Sequence, residues 1–137
     1  MFAQLFDRVD ADPGAKKDID HSGLIGEWVN TNPQTTGIAR MEMNELEGEL
    51  RLRVLAIGPD GLIDWGMAKV EMFASTPSSH DGAGFSCSFD FGFAETRLQG
   101  MIMKGLLVLA IFNVFEDDSR RMDYFVREYF ALEHGRY

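Results

Sequence analysis

From Leu24 onward, apolar and polar residues alternate with a period of two over most of the chain. This is the signature of strands with one face buried. In Glu49–Ala56, residues Leu50, Leu52, Val54 and Ala56 stand against Glu49, Arg51, Arg53 and Leu55. In Gly37–Asn44, Ala39, Met41 and Met43 share one face, with Ile38, Arg40 and Glu42 on the other. Phe85–Phe93 alternates most clearly: Phe85, Cys87, Phe89, Phe91 and Phe93 oppose Ser86, Ser88, Asp90 and Gly92. Leu106–Phe115 is apolar on both faces, as in a strand covered on both sides. Together with Leu24–Asn30, Leu62–Ala74, Glu95–Met103 and Arg121–Leu132, these segments give eight predicted strands.

The connections are short. Asn44–Gly48, Gly58-Pro59-Asp60-Gly61, Lys104-Gly105 and Asp117–Arg120 read as turns, while Ser75–Gly84 is the longest loop. Before the strands, Phe2, Leu5, Phe6 and Val9 fall at helical spacing. They form an apolar stripe suited to docking on an apolar surface or a partner chain, and Asp12-Pro13-Gly14 ends it. The pattern predicts one domain over 1–137, with a helix and linker in 1–22 and a β-structure in 24–132. No second helix is long enough for βαβ units, so the expected class is all-β. Successive hairpins favour an eight-stranded antiparallel up-and-down barrel behind a short N-terminal helix. A two-sheet sandwich is the main alternative.

Composition narrows the functional classes. The 137 residues are 45% hydrophobic, enough for one core without staples, and the net charge is −9. So acidic a chain is poorly suited to phosphate backbones or anionic lipid, and neither nucleic acid nor a membrane is an expected partner. The longest charge-free apolar run, Gly105–Phe115, is too short for a membrane helix. Acidic residues in the first dozen positions interrupt any secretory signal, so a cytoplasmic location is the expectation. The single cysteine, Cys87, cannot form an internal disulfide.

Gly26-Glu27-Trp28, at the start of the first strand, resembles the Gly-x-Trp signature of the calycin superfamily of lipocalin-like barrels. The phrases Trp28–Pro33 and Asp123–Phe130 resemble those of small bacterial calycin-like proteins of unassigned function. The resemblance implies a barrel closed at one end by an N-terminal helix. It also implies a tryptophan at that end under a basic residue of the last strand, a favourable cation–π contact. Arg127 is the matching residue here, with Arg121 as the second option. The usual signal peptide and disulfide of secreted members have no counterpart, which argues against extracellular transport.

Candidate chemistry is sparse. His21, His80 and His134 show no metal-binding spacing, so no metal site is expected, and no cofactor motif is present. Cys87, among phenylalanines, reads as a buried inert thiol. If the barrel closes, Trp65, Phe89, Phe91 and Tyr124 line its lumen while Trp28 and Arg127 close its base. This lining suits a small hydrophobic or aromatic ligand. Asp64 and Glu128 are the carboxylates placed for acid–base work, should the barrel be a cyclase- or isomerase-type enzyme. A third reading is a non-catalytic homodimer with a filled barrel, joined through the Phe2–Val9 stripe or an apolar outer face.

Overall fold

The computed structural model describes residues 19–133, so the predicted Phe2–Val9 helix and His134 lie outside the described residues. Within them, a 3-10 turn at Ser22–Leu24 leads into nine strands. These are β1 Gly26–Asn30, β2 Ile38–Leu46, β3 Glu49–Gly58, β4 Gly61–Lys69, β5 Glu71–Ala74, β6 Gly82–Asp90, β7 Ala94–Met103, β8 Leu106–Phe115 and β9 Tyr124–Leu132. All belong to one antiparallel sheet, ordered β4-β3-β2-β1-β9-β8-β7-β6-β5. Two stacked sheets are therefore not what forms.

The sheet is a meander in which strands pair with their neighbours in sequence, except β4 with β5, and β1 also pairs with β9. The count is nine and not the expected eight because Leu62–Ala74 does not stay with one partner. Its first part, β4, pairs with β3; its last part, β5, pairs with β6. The change falls at Val70, which is buried and donates its N–H to the Leu50 carbonyl at 2.9 Å. The segment thus forms both edges of the sheet, and β4 and β6 come into contact with no hydrogen-bonded ladder between them. The result is a curled half-barrel, not a fully hydrogen-bonded cylinder.

Alternation decides what faces the interior. Leu50, Leu52, Val54 and Ala56 are all buried, and their β3 neighbours less so. In β2 the buried set is Ile38, Met41 and Met43, not Ala39 with the two methionines. The register shifts between Ile38 and Arg40, and the extra residue turns Ile38 to the same side as Met41. One contiguous core runs from Leu24 and Trp28 through Met41, Leu52 and Phe85 to Leu98, Leu109 and Phe130. No helix among the described residues is long and apolar enough to cross a membrane.

Candidate functional site

The two ends of the curled sheet differ. At one end Leu24, Leu50, Val70, Phe85 and Leu107 are buried together. Trp28 is buried too, and its indole N–H donates to the Leu24 carbonyl at 2.9 Å. At the other end, inward-facing positions of the same strands stay open. Along β9, Phe130 is 0% exposed, but Val126 is 41% and Tyr124 is 52% exposed. Those three share a face because their β8 partners, Leu107, Ile111 and Asn113, are alternate residues of one strand. The open end is a mouth.

Aromatic rings surround it. Trp65 lies edge-on to Phe89 at 5.4 Å and to Phe91 at 5.1 Å, bridging the gap between β4 and β6. A β4 irregularity makes this placement: Val54 pairs with Gly66 and Leu55 with Asp64, leaving Trp65 between them unpaired. Gly66 supplies the positive φ of +88° there. Phe91 continues to Phe93 at 6.4 Å, and Phe115 stacks on Tyr124 at 6.1 Å. Between the two pairs lies Arg121, its guanidinium 5.4 Å from the Phe93 ring centre and 4.3 Å from that of Phe115. The 3.0 Å ion pair from Arg121 to Asp117 holds this loop in place.

The polar groups of the mouth are few and connected. The Asn30 amide donates to the Ile38 carbonyl at 2.9 Å and to Glu128 Oε1 at 3.1 Å. The Thr35 hydroxyl donates to Glu128 Oε1 at 3.1 Å. Thr96 and Asn113 join at 2.8 Å on the facing strands. None of the ion pairs among the described residues includes Glu128.

The sequence-predicted residues therefore separate into groups. Trp65, Phe89 and Phe91 are brought into contact, and Tyr124 joins them along the same rim through Phe115, Arg121 and Phe93. Trp28 and Arg127 are not brought together. Trp28 pairs with Leu132, an even position of β9, whereas Arg127 is an odd one and faces out. Five residues of strand, about 17 Å, also separate Arg127 from Leu132. Among the described residues, the cation that lies on aromatic rings is Arg121, over Phe93 and Phe115.

Asp64 also faces away from the mouth. It accepts from Arg53 Nε at 3.0 Å and from the Gly66 N–H at 2.8 Å, and these contacts hold its carboxyl below the ordinary value. Of the two candidate carboxylates, only Glu128 reaches the mouth. Burial pushes the Cys87 thiol up to about 12, so no thiolate nucleophile is available near neutral pH. His21 lies 2.8 Å from Glu45. Among the described residues no group of three or more His, Cys, Asp or Glu is placed to hold a metal ion.

Sequence reasoning missed Asn30, Thr35 and Phe115; it offered Arg121 as a cation over Trp28, where the structure sets it over Phe93 and Phe115. The run Asn30-Thr31-Asn32-Pro33 carried a usable signal, since Asn and Thr side chains cap their own turns. Asn30 Oδ1 does so for the Asn32 N–H at 2.8 Å. No protein-family model, curated protein or solved structure matches the chain.

Proposed function

We propose that this is a calycin-like binding module that takes a small hydrophobic or aromatic ligand at the mouth of its half-barrel. The observation that carries the proposal is the asymmetry between the ends. Inward-facing Phe91, Val126 and Tyr124 remain half-exposed although the opposite end is closed. Leaving apolar side chains wet costs free energy that a bound apolar molecule recovers. Trp65 and Phe91 offer ring faces and edges, and Glu128, Thr96 and Asn113 supply the polar groups that fix a ligand's orientation. Binding fits this set better than chemistry, because the Glu128 carboxylate is already engaged by Asn30 and Thr35 and joins none of the ion pairs among the described residues.

The test uses N-phenylnaphthylamine, a neutral probe that fluoresces in apolar surroundings. Saturable binding at one site per chain is expected. The Trp65→Ala, Phe91→Ala double variant should weaken it about tenfold or more, since each ring is worth about 1 kcal/mol beyond its area. A Met101→Ser variant on the outer face should bind as the parent does. Absence of saturable binding, or unchanged affinity in a folded double variant, overturns the proposal.

A further inference from the structure

The outer face of the sheet carries a cavity that the mouth does not explain. Two rows of outward residues cross it, each residue opposite the next in the antiparallel ladders. One row is Phe73, Gly84, Met101, Val108 and Tyr129. The other is Ser86, Gln99, Ala110 and Arg127. Gly84, Ser86 and Ala110 are small and leave a low floor, while Phe73, Met101 and Tyr129 are large and exposed. The result is a groove of about 620 Å³. The outward face of an antiparallel sheet is ordinarily polar, and contiguous apolar surface on it marks a contact.

The lining holds one charge. Arg127 takes part in none of the ion pairs among the described residues. Across the sheet, Arg127 sits opposite Ala110 on β8. Along β9, the outward neighbours of Arg127 are Phe125 and Tyr129, so no acid flanks it there. The acid that extends its row is Glu71, opposite Ser86 on β5. Glu71 stands four strand spacings away, about 19 Å along the sheet, well beyond the screening length of physiological salt. Arg97, two residues from Gln99 on β7, is already held by Glu95 at 2.9 Å. The guanidinium of Arg127 therefore offers its donors at the edge of an apolar groove.

We propose that this groove is a second binding site, for an amphipathic monocarboxylate. Its carboxylate pairs with Arg127, and its apolar body lies over Gly84 and Ala110 between Phe73 and Tyr129. The planar guanidinium fork matches a carboxylate through two parallel hydrogen bonds. One cation also matches one negative charge. A phosphate monoester, with close to two charges, would leave the second uncompensated on a chain of net charge −9. The volume favours a small molecule, since such sites measure about 300–1,000 Å³, whereas a macromolecular partner needs about 800 Å² of surface on each side. A second copy would bring a further net charge of −9 to a single cation. The groove and the mouth lie on opposite faces of the sheet, so the two sites stand or fall separately.

Carbon-13 methyl resonances of the methionines read the site directly. Met101 and Met103 line the groove, Met122 is exposed elsewhere, and Met41 and Met43 are core residues. Octanoate should shift Met101 and Met103 saturably and leave Met122 in place. Octan-1-ol, the same chain without the charge, should bind about tenfold more weakly or worse. Arg127→Leu should remove that preference by bringing octanoate to the level of the alcohol. Ala110→Phe, which fills the floor, should abolish binding of both. The Trp65→Ala, Phe91→Ala double variant should bind octanoate as the parent does. Parent positions for Met41 and Met43 show that each variant is folded. The proposal is overturned by the absence of a saturable shift at Met101 and Met103, by equal affinity for acid and alcohol, or by a preference that survives in folded Arg127→Leu. Loss of octanoate binding in the double variant assigns it to the mouth, and broadening of Met101 and Met103 that grows with protein concentration assigns the face to a second copy; either result overturns the proposal as well.

Discussion

Cys87 lies on β6 between Phe85 and Phe89, and all three are buried on the inner face. Its thiol pKa stands raised from 9.0 to about 12 because burial penalises the thiolate. In the unfolded chain the thiol ionises near the lower value, so between about pH 9 and pH 12 the native state holds a proton that the unfolded state has released. The thiol's contribution to stability is therefore complete below pH 9 and declines as the pH rises through that window. Denaturation midpoints measured from pH 8 upward should fall in the parent protein and fall less steeply in Cys87→Ala. Equal slopes would show that the thiol is not linked to folding. The inertness of Cys87 was legible from its phenylalanine neighbours alone. The position of Arg127 was not, because YFVREYF (124–130) has bulky apolar residues on both parities, and only the pairing of β9 with β8 shows which parity points inward.

Among the elements, Leu106–Phe115 was the easiest to bound in the sequence, with uniform apolarity between a Lys-Gly turn and an acidic loop. Other limits were hidden by alternation that outlasts the strand. The Phe-x-Phe pattern runs on to Phe93, yet β6 stops at Asp90. Gly92 adopts φ +89°, and the Phe91 N–H donates to the Ala94 carbonyl at 2.8 Å, closing a tight turn. This turn sets Phe91 and Phe93 on the rim of the mouth. The connection between β1 and β2 is held in a different way, by Glu128 accepting from Asn30 and Thr35, while Thr35 itself accepts from the Gly37 N–H at 3.0 Å. Glu128→Ala leaves the Asn30 amide short of one acceptor and the loop without its tie to β9. A loss of about 1–3 kcal/mol is expected in urea unfolding. Hydrogen exchange should quicken most in residues 31–37. A stability change below about 0.5 kcal/mol would mean that water replaces the carboxylate without cost.

At the scale of the whole molecule, one interruption governs the sheet. Eight of the nine junctions around the curl carry antiparallel ladders, and only the β4–β6 approach does not. The interruption was illegible in the sequence because Leu62–Ala74 keeps a strand-like composition across Val70, and a change of pairing partner alters no residue's own preference. Its consequence is mechanical. Amides in β7 and β8, each flanked by two ladders, open only when much of the sheet opens. Half of the β4 amides face the gap, where Trp65 against Phe89 and Phe91 provides packing but no hydrogen-bond acceptors. Native-state hydrogen exchange should therefore rank β7 and β8 as the most protected strands and β4 among the least, with intervals of several kcal/mol between the extremes. Trp65→Ala should lower protection in β4 and at the β6 end near Phe89 while leaving β7 and β8 close to the parent. Uniform protection around the curl, or a uniform loss in Trp65→Ala, would mean that a ladder spans β4 and β6 in solution. The half-barrel would then be a closed cylinder, with no seam between β4 and β6 at which the sheet could open.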